Sequence, residues 1–196
     1  MSVILFKKVD YSLAGLLESV GNGEIGLPEI QRPFVWPNTK VRDLFDSMYR
    51  GYPIGYLLFW ANGVSGGHRQ IGTNTHQLVP RLLIVDGQQR LTSLYSVLKG
   101  ISVLRQDFRT ECIQIAFRPR DAKFEVADAA IRRDPEWLPD ISALWSLDTT
   151  RNRVVRRFVE RLRDSRNVSE DEEEKLTESV DRLYDLRDYP LTVLEL

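Results

Sequence analysis

This sequence predicts an α+β (mixed α/β) fold, a small sheet flanked by short helices and followed by a helical C-terminal part. Three observations predict it. The run Leu82-Leu83-Ile84-Val85 is short and wholly apolar and ends in Asp86-Gly87, the pattern of a buried strand that turns directly into a helix. Three stretches, starting at Leu13, Val41 and Leu91, carry apolar residues at helical spacing and each stops at a glycine, so each offers one apolar face to a sheet. From Arg151 onward the stripes face heavily charged opposite sides, as in surface helices.

In chain order, Ser12 is placed to cap a helix whose stripe is Leu13, Leu16, Leu17 and Val20, with Gly21 as its stop. Gly21-Asn22-Gly23-Glu24-Ile25-Gly26 matches G-x-G-x-x-G by letter. Its context is reversed, because a dinucleotide site needs a strand before the glycines and a helix after them. Leu27 to Trp36, bracketed by Pro28, Pro33 and Pro37, reads as extended. Asn38 is expected to cap a helix with the stripe Val41, Leu44, Phe45 and Met48. Tyr56 to Trp60 reads as a buried strand, and residues 61 to 80 as a polar surface loop of functional length. In that loop Gly66-Gly67-His68-Arg69 reads either as a phosphate clamp or, the simpler account, as a solvated tip.

The helix after Gly87 presents Leu91, Leu94, Tyr95 and Leu98, and Gly100 ends it. Ile113, Ile115 and Phe117 alternate as in a half-buried strand, and Lys123 to Val126 is expected to pair with it across Arg118-Pro119-Arg120-Asp121. Pro135 to Trp145 reads as short helical turns around an aromatic cluster. Arg151 to Arg166 sets Val154, Val155, Phe158, Val159 and Leu162 opposite Arg153, Arg156, Arg157 and Arg163. Those arginines are either solvated or paired with the acidic run Glu170 to Glu174, as on a surface helix, or a contact to successive DNA phosphates. Leu176, Val180, Leu183 and Tyr184 give a last helix, and Leu191 to Leu196 is strand-like, as if the chain continued in a longer protein.

Composition narrows the class. The 196 residues are 42% hydrophobic and 28% charged, enough for a real core. A net charge of −1 removes the general argument for nucleic-acid binding, so any DNA contact must be local. The single cysteine, Cys112, excludes an intrachain disulfide, and with His68 and His76 it cannot build a zinc cluster. Cys112 reads as a small buried residue beside Ile113. No run approaches membrane-spanning length, which points to the cytoplasm and to no membrane partner.

The candidate site is the strand-to-helix corner. The first N–H groups of a helix lack intrahelical acceptors and, with the dipole, attract an anion. Gly87 allows close approach, Asp86 can reach a phosphate-bound metal, Arg90 can fork onto a phosphate, and the amides of Gln88 and Gln89 both donate and accept. The alternative is that Asp86 merely caps the helix and pairs with Arg90. Upstream, Gln31 and Arg32 lie beside Phe34 and Trp36, arginine for phosphate and aromatics for a base; equally, the aromatics could pack the core.

Asp86-Gly87-Gln88-Gln89-Arg90 with Leu91-Thr92-Ser93-Leu94 resembles the DGQQR signature of the N-terminal domain of GmrSD-type modification-dependent restriction endonucleases. Ile30-Gln31-Arg32-Pro33-Phe34-Val35-Trp36 is similar to that family's QR-x-(aromatic)-x-W segment, and Gly51-Tyr52-Pro53-Ile54-Gly55 to its G-x-P-x-G turn. The resemblance implies a ParB/sulfiredoxin-like fold over residues 1–130, with 131–196 a helical extension. It implies a regulatory domain of a phage-defence restriction system that binds, and hydrolyses, a nucleoside triphosphate with Mg2+. Asp86 and Arg90 would be catalytic, and Gln31, Arg32 and Asp86 through Arg90 would bind the nucleotide. Lacking a G-x-x-x-x-G-K-[ST] string, this would be a non-P-loop NTPase. The alternative is a module that senses modified DNA through Arg153, Arg156, Arg157 and Arg163 and signals to a nuclease domain or subunit. DNA cleavage by this segment itself is not expected, because no acidic metal cluster accompanies the histidines.

Overall fold

The computed structural model describes residues 5–28, 33–61, 68–69 and 80–196, with the backbone alone at 27, 28, 68 and 69. Its centre is a six-stranded mixed sheet built from both ends of the chain. The strands are β1 (Lys7–Ser12), β2 (Ile25–Pro28), β3 (Leu57–Ala61), β4 (His68–Arg69), β5 (Leu82–Asp86) and, much later, the last strand at Pro190–Glu195. Across the sheet the order is β1, the last strand, β3, β5, β2, β4. The last strand runs antiparallel to β1, with Val9 opposite Val193, and parallel to β3, with Val193 beside Leu57. The strand-like terminal residues therefore fill an interior position, and the sheet draws on both sides of residue 130.

Local sequence explains the helices. Ser12 Oγ accepts from Gly15 N and opens α1 (Leu13–Gly21), which buries Leu13, Leu16, Leu17 and Val20 as its stripe predicts. Strand β2 follows α1, so the G-x-G-x-x-G letters do sit in the reversed order that excludes a dinucleotide turn. In α2 (Asn38–Tyr49) the expected apolar face is buried, but the expected cap is not made. Pro37 occupies the N-cap, and the Asn38 amide is drawn away by Glu111 and Arg105, which satisfy both its ends. After α2, Gly51 takes φ +77°.

Strands β3 and β5 are buried on one face only. Leu57, Phe59, Leu82 and Ile84 point inward, whereas Tyr56, Trp60 and Val85 are exposed. Expecting continuous burial for Tyr56 to Trp60 overlooked this alternation, which places successive side chains on opposite faces. Of the polar loop, Ala61 belongs to β3, the backbone of His68 and Arg69 forms a short strand against β2, Pro80 is buried, and residues 62–67 and 70–79 lie outside the described residues.

Helix α3 (Gln88–Lys99) buries Leu91, Leu94, Tyr95 and Leu98 and ends at left-handed Gly100. A hairpin unforeseen in the sequence follows, β6 (Val103–Leu104) with β7 (Thr110–Glu111). The expected hairpin forms between β8 (Ile115–Arg118) and β9 (Lys123–Val126). Its Phe117 and Phe124 meet Tyr49 of α2 at ring separations of 5.3 and 5.6 Å. Cys112 is exposed, and Ile113 takes the buried position instead.

Helix α4 (Ala129–Arg133), a short turn at Ile141–Leu144, and α5 (Arg151–Ser165) with α6 (Glu170–Tyr184) complete the chain before the last strand, β10. The two tryptophans near residue 140 have separate partners. Trp137 lies buried under the Arg118 guanidinium, and Trp145 stacks on Tyr184. One hydrophobic core runs from Leu13 to Val193. Among the described residues no helix is long and apolar enough to cross a membrane.

Candidate functional site

Strand β5 ends at Asp86, and α3 begins one residue later. The hinge, Gly87, has φ +87°, ψ 10°, in the left-handed region, so the backbone turns into the helix within a single residue. No side chain caps this helix, whereas Ser12, Thr150 and Ser169 cap α1, α5 and α6. A β-carbon at position 87 would stand 2.3 Å from Leu57 Cδ2 and 3.2 Å from Arg90 Nη2, so only glycine fits.

Arg90 is turned onto protein carbonyls. Nη1 donates to Ile54 O and Nη2 to Tyr56 O at 2.8 Å, while Asp86 Oδ2 lies 3.5 Å from Nη2. The guanidinium thus pins the 51–55 turn to the strand-to-helix corner, uniting two of the three segments matched in the sequence. The Asp86 carboxylate remains 75% exposed, so this ion pair is weak and the carboxylate faces outward.

Gln89 joins the third segment. Its Oε1 accepts from Val35 N at 2.9 Å and from Trp36 N at 3.3 Å, and its Nε2 donates to Pro33 O at 3.3 Å. A glutamine amide presents one acceptor and one donor edge, and here both are used on a single stretch of backbone. Gln88 also stands in the first turn of α3. Gln31 and Arg32, the residues just before Pro33, lie outside the described residues. Phe34 is buried with the Arg105 guanidinium over its ring, and Trp36 packs partly buried under Lys40, so both aromatics serve packing.

Sequence reading missed Arg105. It donates to Trp36 O and Asn38 Oδ1 and binds Glu111 Oε2 at 2.7 Å, holding the far side of the segment that Gln89 holds from α3. The Asn38 amide, followed by Arg105, keeps the Glu111 carboxyl below its ordinary value. An arginine in a short unforeseen hairpin carries no motif. Its one sequence signal was the opposite charges of Arg105 and Glu111 on either side of Gln106 to Thr110.

Helix α5 holds the four arginines proposed for DNA, all exposed. Arg163 pairs with Glu173 on α6, within the acidic run named as its partner, whereas Arg156 pairs at 3.5 Å with Glu160 of its own helix, outside that run. Arg153 and Arg157 stand one turn apart on the same helix.

These features define a class: a mixed α/β domain in which the side chains of Gln89 and Arg90 tie the backbone of two earlier segments to one strand-to-helix corner. The chain belongs to the family of the GmrSD restriction endonuclease N-terminal domain, whose model matches residues 13–195. It is also similar to an uncharacterized protein of Methanocaldococcus jannaschii, 34% identical over 93 residues, which span 43% of this chain and 16% of that relative's length.

Proposed function

We propose that this domain binds a nucleoside triphosphate at the Asp86–Arg90 corner and hydrolyses it, as the regulatory part of a phage-defence restriction system whose nuclease lies in another domain or subunit. One observation carries the proposal: the uncapped start of α3, entered through left-handed Gly87, lies beside an exposed carboxylate at the end of β5. Such a start attracts phosphate through its backbone amides and dipole.

Each residue then has a role. The amides that open α3, with the Gln88 side chain, would bind phosphate oxygens. Asp86 would reach Mg2+ that arrives with the nucleotide, since magnesium keeps most of its waters and needs one or two carboxylates beside phosphate oxygens. That fits a corner with one outward carboxylate; among the described residues no cluster of three or more potential ligands exists. Bound Mg2+ would neutralise developing phosphate charge. Arg90, whose terminal nitrogens already hold Ile54 and Tyr56, is a positioning residue that fixes the wall of the corner. Gln31 and Arg32 would close the pocket from the segment that Gln89 anchors.

Nucleotide affinity and phosphate release, measured for wild type, Asp86→Ala and Arg90→Ala, test this. Both variants should lose affinity, and Asp86→Ala should also lose the magnesium dependence. Unchanged binding in both would remove the site. The second function proposed, sensing of modified DNA, keeps Arg153 and Arg157 as phosphate contacts. Their joint replacement by alanine should lower the salt slope of duplex binding.

A further inference from the structure

The tip of the β6–β7 hairpin contradicts what its own fold asks of it. Arg105 N donates to Arg109 O and Phe108 N to Arg105 O, closing a three-residue loop over Gln106, Asp107 and Phe108. In such loops the third residue sits in the left-handed region, where glycine or asparagine is the default. Here it is Phe108, with φ +61°. A bulky side chain in that conformation is strained, because its β-carbon crowds the backbone. The ring returns nothing to the core, for Phe108 is 86% exposed.

A strained backbone and an unburied ring are two costs with no gain inside the described chain. Features of that kind persist where a partner recovers the cost. Arg109 follows Phe108 in the chain with its side chain 86% exposed, and its guanidinium has an ion pair with Asp107 at 3.6 Å. Arg105, at the other side of the loop, is spent inward on Glu111, Trp36 and Asn38 and anchors the hairpin base. The hairpin thus is anchored at its base through Arg105 and carries an exposed aromatic ring and an exposed guanidinium at its tip.

We propose that Phe108 is a wedge that stacks between bases of duplex DNA while Arg109 holds a neighbouring phosphate. Apolar wedges open base steps, and an aromatic face stacks on any base, so the contact is independent of sequence and of modification. Membership in a restriction family supplies the reason for choosing DNA over another macromolecule. The proposal shares with the sensing of modified DNA only the premise that the chain touches DNA, and it is independent of nucleotide binding at the corner.

The test uses the full chain at low salt with an unmodified duplex carrying 2-aminopurine, whose fluorescence rises when its stack is opened. Wild type and Phe108→Tyr should raise that fluorescence on binding. Phe108→Gly should lose about tenfold or more in affinity. The same glycine variant should melt about 2–4 °C higher than wild type, because the strain is relieved. Gain of stability with loss of binding is the signature of a functional strain. Nucleotide titrations of Phe108→Gly should match wild type, so failure at the corner and failure at the tip are separable. Absence of duplex binding by wild type, equal binding by Phe108→Gly, binding without a fluorescence change, or a lower melting point for the glycine variant would each overturn the proposal. So would concentration-dependent self-association abolished by Phe108→Gly, which would assign the tip to a protein partner.

Discussion

Gly55 and Arg90 are in mutual contact by design of the backbone: Gly55 has φ +86°, and a β-carbon there would lie 2.5 Å from Arg90 Nη1. The guanidinium passes where a side chain would be and bonds the carbonyls on either side of Gly55, those of Ile54 and Tyr56. Gly55→Ala should therefore cost about 1–2 kcal/mol from the left-handed backbone, plus the displaced arginine bonds. In a double-mutant cycle with Arg90→Ala the losses should be less than additive, since both remove one interaction. Additive urea-unfolding energies would mean that the two residues act separately.

Gln89 fixes Pro33, Val35 and Trp36 through one amide. Gln89→Glu keeps the oxygen that accepts from Val35 and Trp36, while Gln89→Leu loses every bond. The leucine variant should lose about 1–2 kcal/mol and be cut faster by protease between residues 33 and 36. The glutamate variant should fall between it and wild type. Equal protease sensitivity in all three proteins would show that other contacts hold this segment.

Glu111 links hairpin stability to acid. Hydrogen bonds from Asn38 and then Arg105 hold its carboxyl below the ordinary 4.5. The unfolded chain therefore takes up the proton first as pH falls. The stabilisation is present above about 4.5 and is lost as pH drops through the lower folded value. Urea midpoints of wild type and Glu111→Gln should converge as pH falls from about 6 to about 3. A constant difference across that range would mean that the carboxylate charge plays no part.

Asp86 separates fold from function. Its side chain is 75% exposed and its ion pair to Arg90 spans 3.5 Å. Asp86→Ala should change stability by no more than about 0.5 kcal/mol. Any loss of nucleotide binding in that variant then reports the site and not the scaffold. A melting transition several degrees below wild type would assign Asp86 a structural part.

What the sequence made legible followed short-range rules. The helix stripes and their glycine stops, the β8–β9 hairpin and the Gly87 corner each depend on residues a few positions apart. Long-range competition hid the rest. Asn38 had the chemistry of a cap, but Glu111 and Arg105 compete for its amide from 67 to 73 residues away. Cys112 had the composition of a buried residue, but it lies in the link between β7 and β8, where Ile113 takes the buried position instead. Arg90 had the chemistry of a phosphate fork, yet the carbonyls that take its donors come from the turn at 51–55. The convergence of three segments was visible only as three strings in order; the bonds from Gln89 and Arg90 explain why they occur together.

Backbone amides at the start of α3 are the proposed triphosphate contact. Amide resonances of Gly87, Gln88 and Gln89 followed by nitrogen-15 correlation spectra during titration with magnesium-loaded ATP, GTP, CTP and UTP test it most directly. The account predicts that at least one nucleotide shifts these three signals to saturation in wild type, and that the shifts weaken in Asp86→Ala. Unmoved signals at 87–89 with all four nucleotides, or saturating shifts confined to another part of the chain, would contradict it.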